Sequence, residues 1–380
     1  MTSLKPYEIN SNNVTQTWIN INSNSVPNFN SIVTFDVNQL GKVQEIYVLF
    51  NMSAITGVTG VPAQFLPCPV SAFKFFTTVN YSYQGSILDT TTNDMNYITN
   101  QFAHDDQDRL FINTGSGMYN VQSQRYALGQ ANTIYQVPLR SFVNQTNPEI
   151  LNNNHAFRVS LTMDSLQNIV DTGLLVGIPS MTINSISLLV KMQKFDTPTI
   201  NYKLNQLGRL GRYQDIFSSN LQQQFTAIVG STSSIINLPN FINSNINYIY
   251  FTIRPITSLT KSVGFNYINN IISYNLNNSS NESLCGGSPV VSSIGLLVLN
   301  RENTRGSYCT ELNASVFAWF HTSDGVRTLA TGIPLSSRLY NGSENLTLQW
   351  SSALLVNHQI DIYASAVSVF QQTLLGVSKL

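Results

Sequence analysis

The chain of 380 residues is long for one β-domain and sufficient for two domains of about 190 residues, each with its own core. Only 10% of the residues are charged and the net charge is zero, so no charge excess directs the chain to nucleic acid or to an anionic membrane. The 42% hydrophobic content excludes general disorder, and three cysteines do not make a disulfide framework. A near-neutral surface rich in Asn, Ser and Thr favours association between copies of the chain.

Residues 1–30 are polar and rich in Asn, interrupted by the short apolar segment Trp18–Ile21. We predict an N-terminal arm here, which becomes ordered by lying on another surface and ends in a short strand. Residues 1–41 contain a single cation, Lys5, so the arm cannot neutralise nucleic acid. No run reaches the 18 or so apolar residues of a membrane span, and the first residues lack the apolar segment of a signal peptide.

The clearest strand pattern lies in Lys42–Thr56, where apolar residues occupy every even position from Ile46 to Ala54 and mostly polar residues the odd ones. This alternation predicts a β-strand with one face on a core, because successive side chains point to opposite sides of a sheet. The pattern returns in Asn247–Thr257, about 200 residues later. Its apolar face consists of Ile249, Phe251 and Ile253, and its opposite face of Tyr250, Thr252 and Arg254.

Neighbouring strand-like segments recur at nearly the same spacing, in the same order, while the loops differ in length. The matching segments, first half against second, are Ser31–Val37 and Ser233–Asn240, Val137–Ser141 and Ile333–Ser337, His155–Met163 and Glu344–Leu355, and Ile183–Met192 and His358–Phe370. We therefore predict an all-β fold of two similar barrels in tandem. Two unrelated β-domains, which look alike at this level, are the alternative.

Two further strands are predicted in the first barrel, Ser71–Val79 and Tyr81–Leu88, close to a turn at Asn80. The segment Asp94–Ala103 then changes to helical spacing. Its apolar residues are Met95, Ile98 and Phe102, and its candidate N-caps are Thr92 and Asn93. We predict a short helix inserted between strands.

Two segments show neither strand nor helix periodicity. Asp196–Tyr213, which contains Pro198 and two glycines, is predicted to connect the barrels. Asn266–Gly287, crowded with Asn, Ser and Gly, is predicted to be a long surface loop.

The densest polar cluster is His104–Arg109, which could in principle form a calcium loop or an acid pair. It lacks the alternating ligands and central Gly of an EF-type loop, so we interpret it as a solvated helix end. Gly115–Gly117 is not followed by a helix start and is interpreted as a loop, not a phosphate-binding turn. Nothing has a nucleophile-elbow pattern, although a Ser-His-Asp triad assembled from distant positions stays open.

The remaining candidate ligands are isolated in the sequence. The four histidines, His104, His155, His321 and His358, show no zinc-binding spacing. Cys68 has no partner at ligand spacing, and Cys285 and Cys309 are either bonded to each other or, as we favour, buried free thiols. We therefore expect no catalytic, cofactor-binding or metal-binding residue, and no enzymatic activity.

The order of these elements resembles the double jelly-roll major capsid proteins, which include the coat proteins of tailless, membrane-containing icosahedral phages and the adenovirus hexon. The resemblance covers nearly the whole chain as a pattern, and no single motif is diagnostic. It is carried by Ser31–Val37 leading into Val43–Thr56, the helix near Asp94, the Val137–Leu139 strand and the final strand pair Glu344–Phe370. It implies two eight-stranded antiparallel jelly-roll barrels, with 1–30 as the arm, 31–200 as the first barrel and 201–380 as the second.

The resemblance further implies a major capsid protein of an icosahedral virus or bacteriophage, located in the virion and assembled in the host cytoplasm. Homotrimers would form pseudo-hexameric capsomers that contact neighbouring capsomers, vertex or penton proteins and minor capsid proteins. No long amphipathic helix precedes the first strand, so contact with an internal lipid membrane stays open, and no specific nucleic acid is expected.

Two alternatives from other classes share the jelly-roll fold. One is a two-domain carbohydrate-binding protein or glycan amidase, in which acidic residues and Trp would share a cleft. The three tryptophans, Trp18, Trp319 and Trp350, are instead far apart in the sequence. The other is a receptor-binding spike, which would more often be elongated and repetitive.

Overall fold

The computed structural model describes most of the chain as two sets of β-sheets. The described residues are 14–39, 41–59, 67–83, 85–103, 106–118, 122–140, 149–150, 157–172, 175–256, 271–277, 283–287, 317–320, 338–373 and 377–379. No helix in these ranges is long and apolar enough to cross a lipid bilayer.

The described residues consist mainly of β-strands, with five α-helices. The strands of the first half are β1 (Val14–Asn22), β2 (Ile32–Val37), β3 (Gly41–Met52), β4 (Thr56–Thr59), β5 (Cys68–Pro69), β6 (Phe76–Tyr83), β7 (Ser86–Thr92), β8 (Thr133–Pro138), β9 (Glu149–Ile150), β10 (Phe157–Met163), β11 (Val170–Asp171), β12 (Val176–Ser180) and β13 (Ile183–Phe195). Those of the second half are β14 (Tyr213–Ala227), β15 (Ser233–Asn237), β16 (Asn245–Pro255), β17 (Ile271–Asn277), β18 (Ser283–Gly287), β19 (Phe317–Phe320), β20 (Arg338–Leu339), β21 (Asn345–Trp350), β22 (His358–Gln372) and β23 (Val377–Lys379). The α-helices are α1 (Asn93–Ala103), α2 (Asp106–Gly115), α3 (Gln122–Gly129), α4 (Leu166–Ile169) and α5 (Thr197–Leu210).

The first set of strands forms two antiparallel sheets around one core. One sheet has the order β1-β13-β3-β8, with β9 also paired to β3, and the other has the order β2-β10-β6-β7. The alternating residues of β3 explain its place: Val48 and Phe50 are completely buried, and Phe50 packs edge-on against Phe75. Two four-stranded sheets connected in this order form a jelly-roll barrel.

The second set repeats the arrangement. Its sheets have the orders β14-β22-β16-β19 and β15-β21-β17-β18, with β20 and β23 added at β16 and β22. Strands β14, β22, β16 and β19 therefore occupy the positions of β1, β13, β3 and β8. The prediction of two tandem eight-stranded antiparallel jelly-roll barrels is confirmed.

The predicted internal repeat holds at the level of single residues. Ile46 of β3 is opposite Val190 of β13, and Ile249 of β16 is opposite Ala364 of β22, the equivalent neighbour. Both isoleucines are at most 1% exposed. The two strands therefore occupy equivalent positions in their sheets, with the same face directed into their cores. Ile333–Ser337, the predicted counterpart of Val137–Ser141, lies outside the described residues. The strand that pairs with β16, as β8 pairs with β3, is β19.

The described part of the predicted N-terminal arm contains a strand, as expected for its end. Residues 14–22 are β1, which pairs along its whole length with β13. Ile19 and Ile21 pack against the first core because they alternate with polar neighbours. The region is thus a strand of the first barrel, and residues 1–13 lie outside the described part.

Two predicted strand boundaries were wrong. Asn80 and Tyr81 lie in the middle of β6 and not in a turn, because Tyr81 and Tyr83 continue the buried face beyond them. The chain turns instead at Gly85, whose φ of 81° suits glycine. The predicted loop Asn266–Gly287 contains β17 and β18, and Leu276 of β17 is completely buried.

The predicted connection between the barrels is a helix, α5. The side chain of Asp196 accepts a hydrogen bond from the Thr199 backbone at 2.9 Å, and Pro198 lies in the first turn. Gly211 ends the helix in the left-handed conformation at φ 71°. Helix α5 separates the two sets of sheets along the chain, whereas the division into domains at residue 200 stays a prediction.

Candidate functional site

The outer face of β16 is buried against the first barrel. Tyr250 and Thr252, which alternate with core residues, are 2% and 0% exposed. Tyr250 belongs to the hydrophobic cluster of the first barrel, and Arg254 on the same face pairs with Asp94 at the start of α1. The mixed polar face predicted for this strand is therefore the seam between the two barrels, and we call it the inter-barrel seam.

An ionic cluster lies at the centre of the inter-barrel seam. The Nη2 atom of Arg254 lies 2.5 Å from Oδ2 of Asp94 on α1 and 2.6 Å from Oδ2 of Asp361 on β22. The side chains are 12%, 3% and 0% exposed, so one guanidinium is shared by two buried carboxylates. Burial raises the pKa of Asp361; the Arg254 charge opposes this shift and the Asp94 carboxylate adds to it.

Further hydrogen bonds and a ring contact extend the inter-barrel seam. The backbone N–H of Asn220 donates to Asp89 at 3.1 Å, and its side-chain amide donates to Asp89 at 3.2 Å and to Thr91 at 3.1 Å. The rings of Tyr250 and Tyr363 stack with centroids 5.1 Å apart. The hydrogen bonds of Asn220 thus join β14 to β7, and the pair of Arg254 with Asp94 joins β16 to α1.

A groove of about 470 Å³ opens along the inter-barrel seam. Its lining consists of hydroxyl and amide side chains around the ionic cluster, together with one tyrosine: Thr77, Thr78, Thr92, Asn93, Gln222, Gln223, Gln224, Asn240 and Tyr363. The described part of the chain contains no group of three His, Cys, Asp or Glu side chains that could hold a metal ion. The hydroxyl and amide side chains of this lining can form hydrogen bonds, whereas its charged side chains, Asp94, Arg254 and Asp361, are already paired with one another.

The outer face of β3 occupies the same position on the first barrel and is more open. Trp18 of β1 is 47% exposed, and its ring lies 5.9 Å from that of Tyr47 and 5.7 Å from Nζ of Lys191. Lys191 also pairs with Glu45 at 2.7 Å. Burial, followed by the Glu45 charge, raises the pKa of Tyr47 to about 12. This face combines aromatic, aliphatic and paired charged groups.

The residues considered as site candidates in the sequence are dispersed in the structure. Residues 106–109 open α2, whereas His104, Asp105, His155, His321 and Cys309 lie outside the described residues. The Nδ1 atom of His358 lies 2.7 Å from the Val356 carbonyl oxygen at the start of β22. Cys68 is a buried free thiol on β5, and Cys285 lies on β18.

The other predicted features of the first barrel have structural roles. The hydroxyl of Thr92 accepts a hydrogen bond from the Met95 backbone at 3.3 Å, which confirms it as a cap of α1. Ser116, within the glycine-flanked loop, donates to the Asn113 carbonyl oxygen at 3.1 Å and closes α2. Trp18 and Trp350 lie on different barrels, so these two do not share a cleft.

Sequence reasoning missed the inter-barrel seam because strand alternation identifies only the face that meets the strand's own core. The sequence feature that could have indicated the inter-barrel seam is one arginine and one aspartate in strands that otherwise contain no charged residue. Arg254 and Asp361 each stand alone among uncharged neighbours in β16 and β22. Isolated charges of this kind are rarely buried unless they are paired.

Comparison with known proteins shows similarity of structure without detectable similarity of sequence. No family model and no curated protein matches the chain. The crystal structure of PBCV-1 VP54, which was fitted into a cryo-EM reconstruction of the virophage Sputnik, aligns with a TM-score of 0.69 at 15% identity, over 97% of this chain and 96% of that chain. The Faustovirus major capsid protein aligns with a TM-score of 0.65 at 10% identity, over 97% and 92%.

The mavirus major capsid protein aligns with a TM-score of 0.51 at 12% identity, over 96% of this chain and 90% of that chain. Both barrels, their order and their connection therefore lie within each alignment. The chain has the double jelly-roll fold of these viral major capsid proteins.

Proposed function

We propose that the chain is the major capsid protein of an icosahedral virus. The observation that carries the proposal is the match of both barrels, over 97% of the chain, to proteins of that role. Jelly rolls also occur in lectins and enzymes, so one barrel alone would not indicate a capsid role. A match to a tandem pair of barrels along nearly the whole chain favours the capsid role more specifically. The protein is accordingly located in the virion, and its assembly takes place in the host cytoplasm.

The capsid subunit is a homotrimer. Three chains with two similar barrels each place six barrels around one axis, so that one protein meets six neighbours in nearly equivalent ways. Closed symmetry fixes the trimer, and the remaining side faces build the lattice. The low charge of the chain, 10% of its residues, permits this close packing.

The partners of the trimer are neighbouring trimers, vertex proteins and minor capsid proteins. The N-terminal residues pair with a neighbouring subunit or lie on another layer, either protein or lipid. Packaged nucleic acid is not bound through them, because residues 1–41 contain one cation. Steep salt-dependent DNA binding by assembled protein, lost on deletion of residues 1–13, which precede β1, would contradict this assignment.

Negative-stain imaging of the expressed protein or of purified particles tests the capsid role. We expect trimers with a six-lobed outline that tile closed shells. A homogeneous population of single two-barrel molecules, with no shells under any assembly condition, would contradict it.

The role is structural and not catalytic. The alternative, a carbohydrate-binding protein or glycan amidase, requires acidic and tryptophan side chains in one cleft. No tryptophan is among the described residues that line the groove in the inter-barrel seam. The purified protein should release no product from glycans or peptides. A reproducible hydrolytic activity, abolished by one substitution within residues 104–108, would refute this part of the proposal.

A further inference from the structure

Asn341 is the only asparagine in the sequence that is followed by glycine. It lies in the short loop between β20 and β21, and both Asn341 and Gly342 are exposed. Gly342 has a φ of 91°, and a Cβ atom at this position would approach the side chain of Ile242 to 2.9 Å. The turn therefore requires a glycine directly after Asn341.

The side-chain carbonyl of Asn341 accepts two hydrogen bonds from Ser343. The backbone N–H of Ser343 donates to Oδ1 at 3.0 Å, and its hydroxyl donates to the same oxygen at 2.5 Å. The ring that the first of these bonds closes contains Cγ of Asn341 and the backbone nitrogen of Gly342. Two donors on one carbonyl oxygen stabilise negative charge that develops on that oxygen during a reaction at its carbon.

A buried carboxylate contacts the backbone nitrogen of Gly342. Glu344 is 3% exposed, and its Oε2 atom accepts hydrogen bonds from the backbone N–H groups of Gly342 at 3.0 Å and of Asn341 at 3.1 Å. A carboxylate at this distance can take the proton of the group that it contacts. The turn thus places an electrophilic carbon, a nucleophilic nitrogen and a base within four residues.

We propose that Asn341 is a site of self-catalysed deamidation, at which Glu344 acts as the base and Ser343 stabilises the charge on Oδ1. The product is an aspartyl or isoaspartyl residue at position 341. The reaction needs one folded chain and water, so it does not depend on the proposed capsid role.

The reaction has two steps. The Gly342 nitrogen attacks Cγ of Asn341 while its proton passes to Glu344, and the electron pair of the Cγ–Oδ1 double bond moves to Oδ1. Return of this pair expels the side-chain nitrogen, which takes the proton from Glu344 and leaves as ammonia. Water then opens the cyclic imide at either of its carbonyl carbons and leaves a carboxylate.

Deamidation adds one negative charge to a chain whose net charge is zero. The new carboxylate lies in the same turn as the carboxylate of Glu344, and like charges at short distance repel each other. The modified chain can therefore be separated from the unmodified chain by ion exchange.

Incubation of the purified protein in neutral buffer, followed by peptide mass spectrometry at successive times, tests the proposal. Deamidation is measured at each asparagine from the mass difference between an amide and a carboxylic acid. Asn24, which is exposed and followed by Ser25, is the internal reference. Each time course is run on the folded protein and on the chain unfolded in guanidinium chloride.

We expect Asn341 to deamidate at least tenfold faster in the folded protein than in the unfolded chain, because only folding brings Glu344 and Ser343 into contact with the reacting atoms. Folding should not accelerate the reaction of Asn24. A rate at Asn341 that is equal or lower in the folded protein would show that the contacts only stabilise the turn, and it would overturn the proposal.

Two substitutions separate the base from the stabilising donor. Glu344→Gln keeps an acceptor for the backbone N–H groups but cannot take their proton, so deamidation of Asn341 in the folded protein should slow at least tenfold. Ser343→Ala removes the hydroxyl donor and should also slow the reaction, whereas Ser343→Thr should retain the wild-type rate.

Glu45→Gln is the matched control, because it removes one carboxylate from the other barrel, where Glu45 pairs with Lys191. It should leave the rate at Asn341 unchanged. Thermal unfolding shows which variants are folded, and Ser343→Ala keeps the test open if Glu344→Gln does not fold. Wild-type rates of deamidation at Asn341 in the folded Glu344→Gln or Ser343→Ala variants would refute the assigned roles.

Discussion

Arg254 joins two buried carboxylates from different barrels, Asp94 at 2.5 Å and Asp361 at 2.6 Å. Two charged acids cannot be compensated fully by one guanidinium, so the free energy of this cluster depends on protonation. A contrasting pair, Arg158 and Asp36, lies on the surface of β10 and β2 with side chains 50% and 21% exposed. The two arginines therefore allow buried and exposed ion pairs to be compared in one protein.

Arg254→Met should lower the free energy of unfolding by about 3–5 kcal/mol, because it leaves two buried carboxylates without their cation. Arg158→Met is the matched control and should cost no more than about 1 kcal/mol, since water screens an exposed pair. Urea unfolding at neutral pH measures both variants. Equal decreases in the free energy of unfolding of the two variants would contradict the role of Arg254 in stabilising the inter-barrel seam.

The raised pKa of Asp361 predicts a pH dependence of stability. The folded state binds the proton of the Asp361 carboxyl more tightly than the unfolded chain, in which the pKa of Asp is about 3.9. The resulting stabilisation is fully present below that value and is lost as the pH rises through the raised pKa of Asp361. The stability of Asp361→Asn relative to the wild type should therefore increase from pH 4 to pH 7. A difference that is constant over this range in urea unfolding would contradict the assignment.

Strands and helices were predicted correctly where the spacing of apolar residues was regular over the whole element. The alternation in Lys42–Thr56 predicted β3, and the spacing of Met95 and Ile98 predicted α1, because one face of each element meets one core. Helix α5 escaped prediction because little of its surface is buried: Thr199 and Leu207 are its buried residues, too few to set a helical period. Its terminal signals, Asp196 before Pro198 and Gly211 at the end, were nevertheless present in the sequence.

The N-cap of α5 provides a test at the scale of one element. Asp196→Ala should lower the free energy of unfolding by about 1 kcal/mol, because the Thr199 backbone N–H loses its acceptor. Asn201→Ala, at an exposed position of the same helix, should change it by less than about 0.5 kcal/mol. Both values come from urea unfolding; an Asp196→Ala variant as stable as the control would contradict the capping role.

The repeat of whole barrels was predictable because strands with alternating apolar and polar residues follow one another in the same order in both halves of the chain. The inter-barrel seam was not, because Arg254 and Asp94 are brought together by the docking of two complete barrels and not by any local pattern. Patterns within a strand thus predict its core, whereas contacts between barrels require the assembled fold.

Because the two barrels are equivalent, a charge placed in the core of either barrel should destabilise the protein. Phe50→Asp and Phe251→Asp should each cost several kcal/mol, on the order of a domain's whole stability, because both side chains are fully buried. Asn51→Asp, on the opposite face of β3, is the control and should leave the protein soluble. Thermal unfolding measures the three variants; soluble and normally melting protein from both core variants would contradict the paired assignment.

The central claim is that three of these two-barrel chains form one capsid subunit, and light scattering on purified wild-type protein tests it most directly. We predict a molar mass of about 127 kDa, that of three chains of 42.2 kDa, at micromolar concentration. A stable species of 42.2 kDa at that concentration, with no trimers in any assembly condition or in particles, would contradict it.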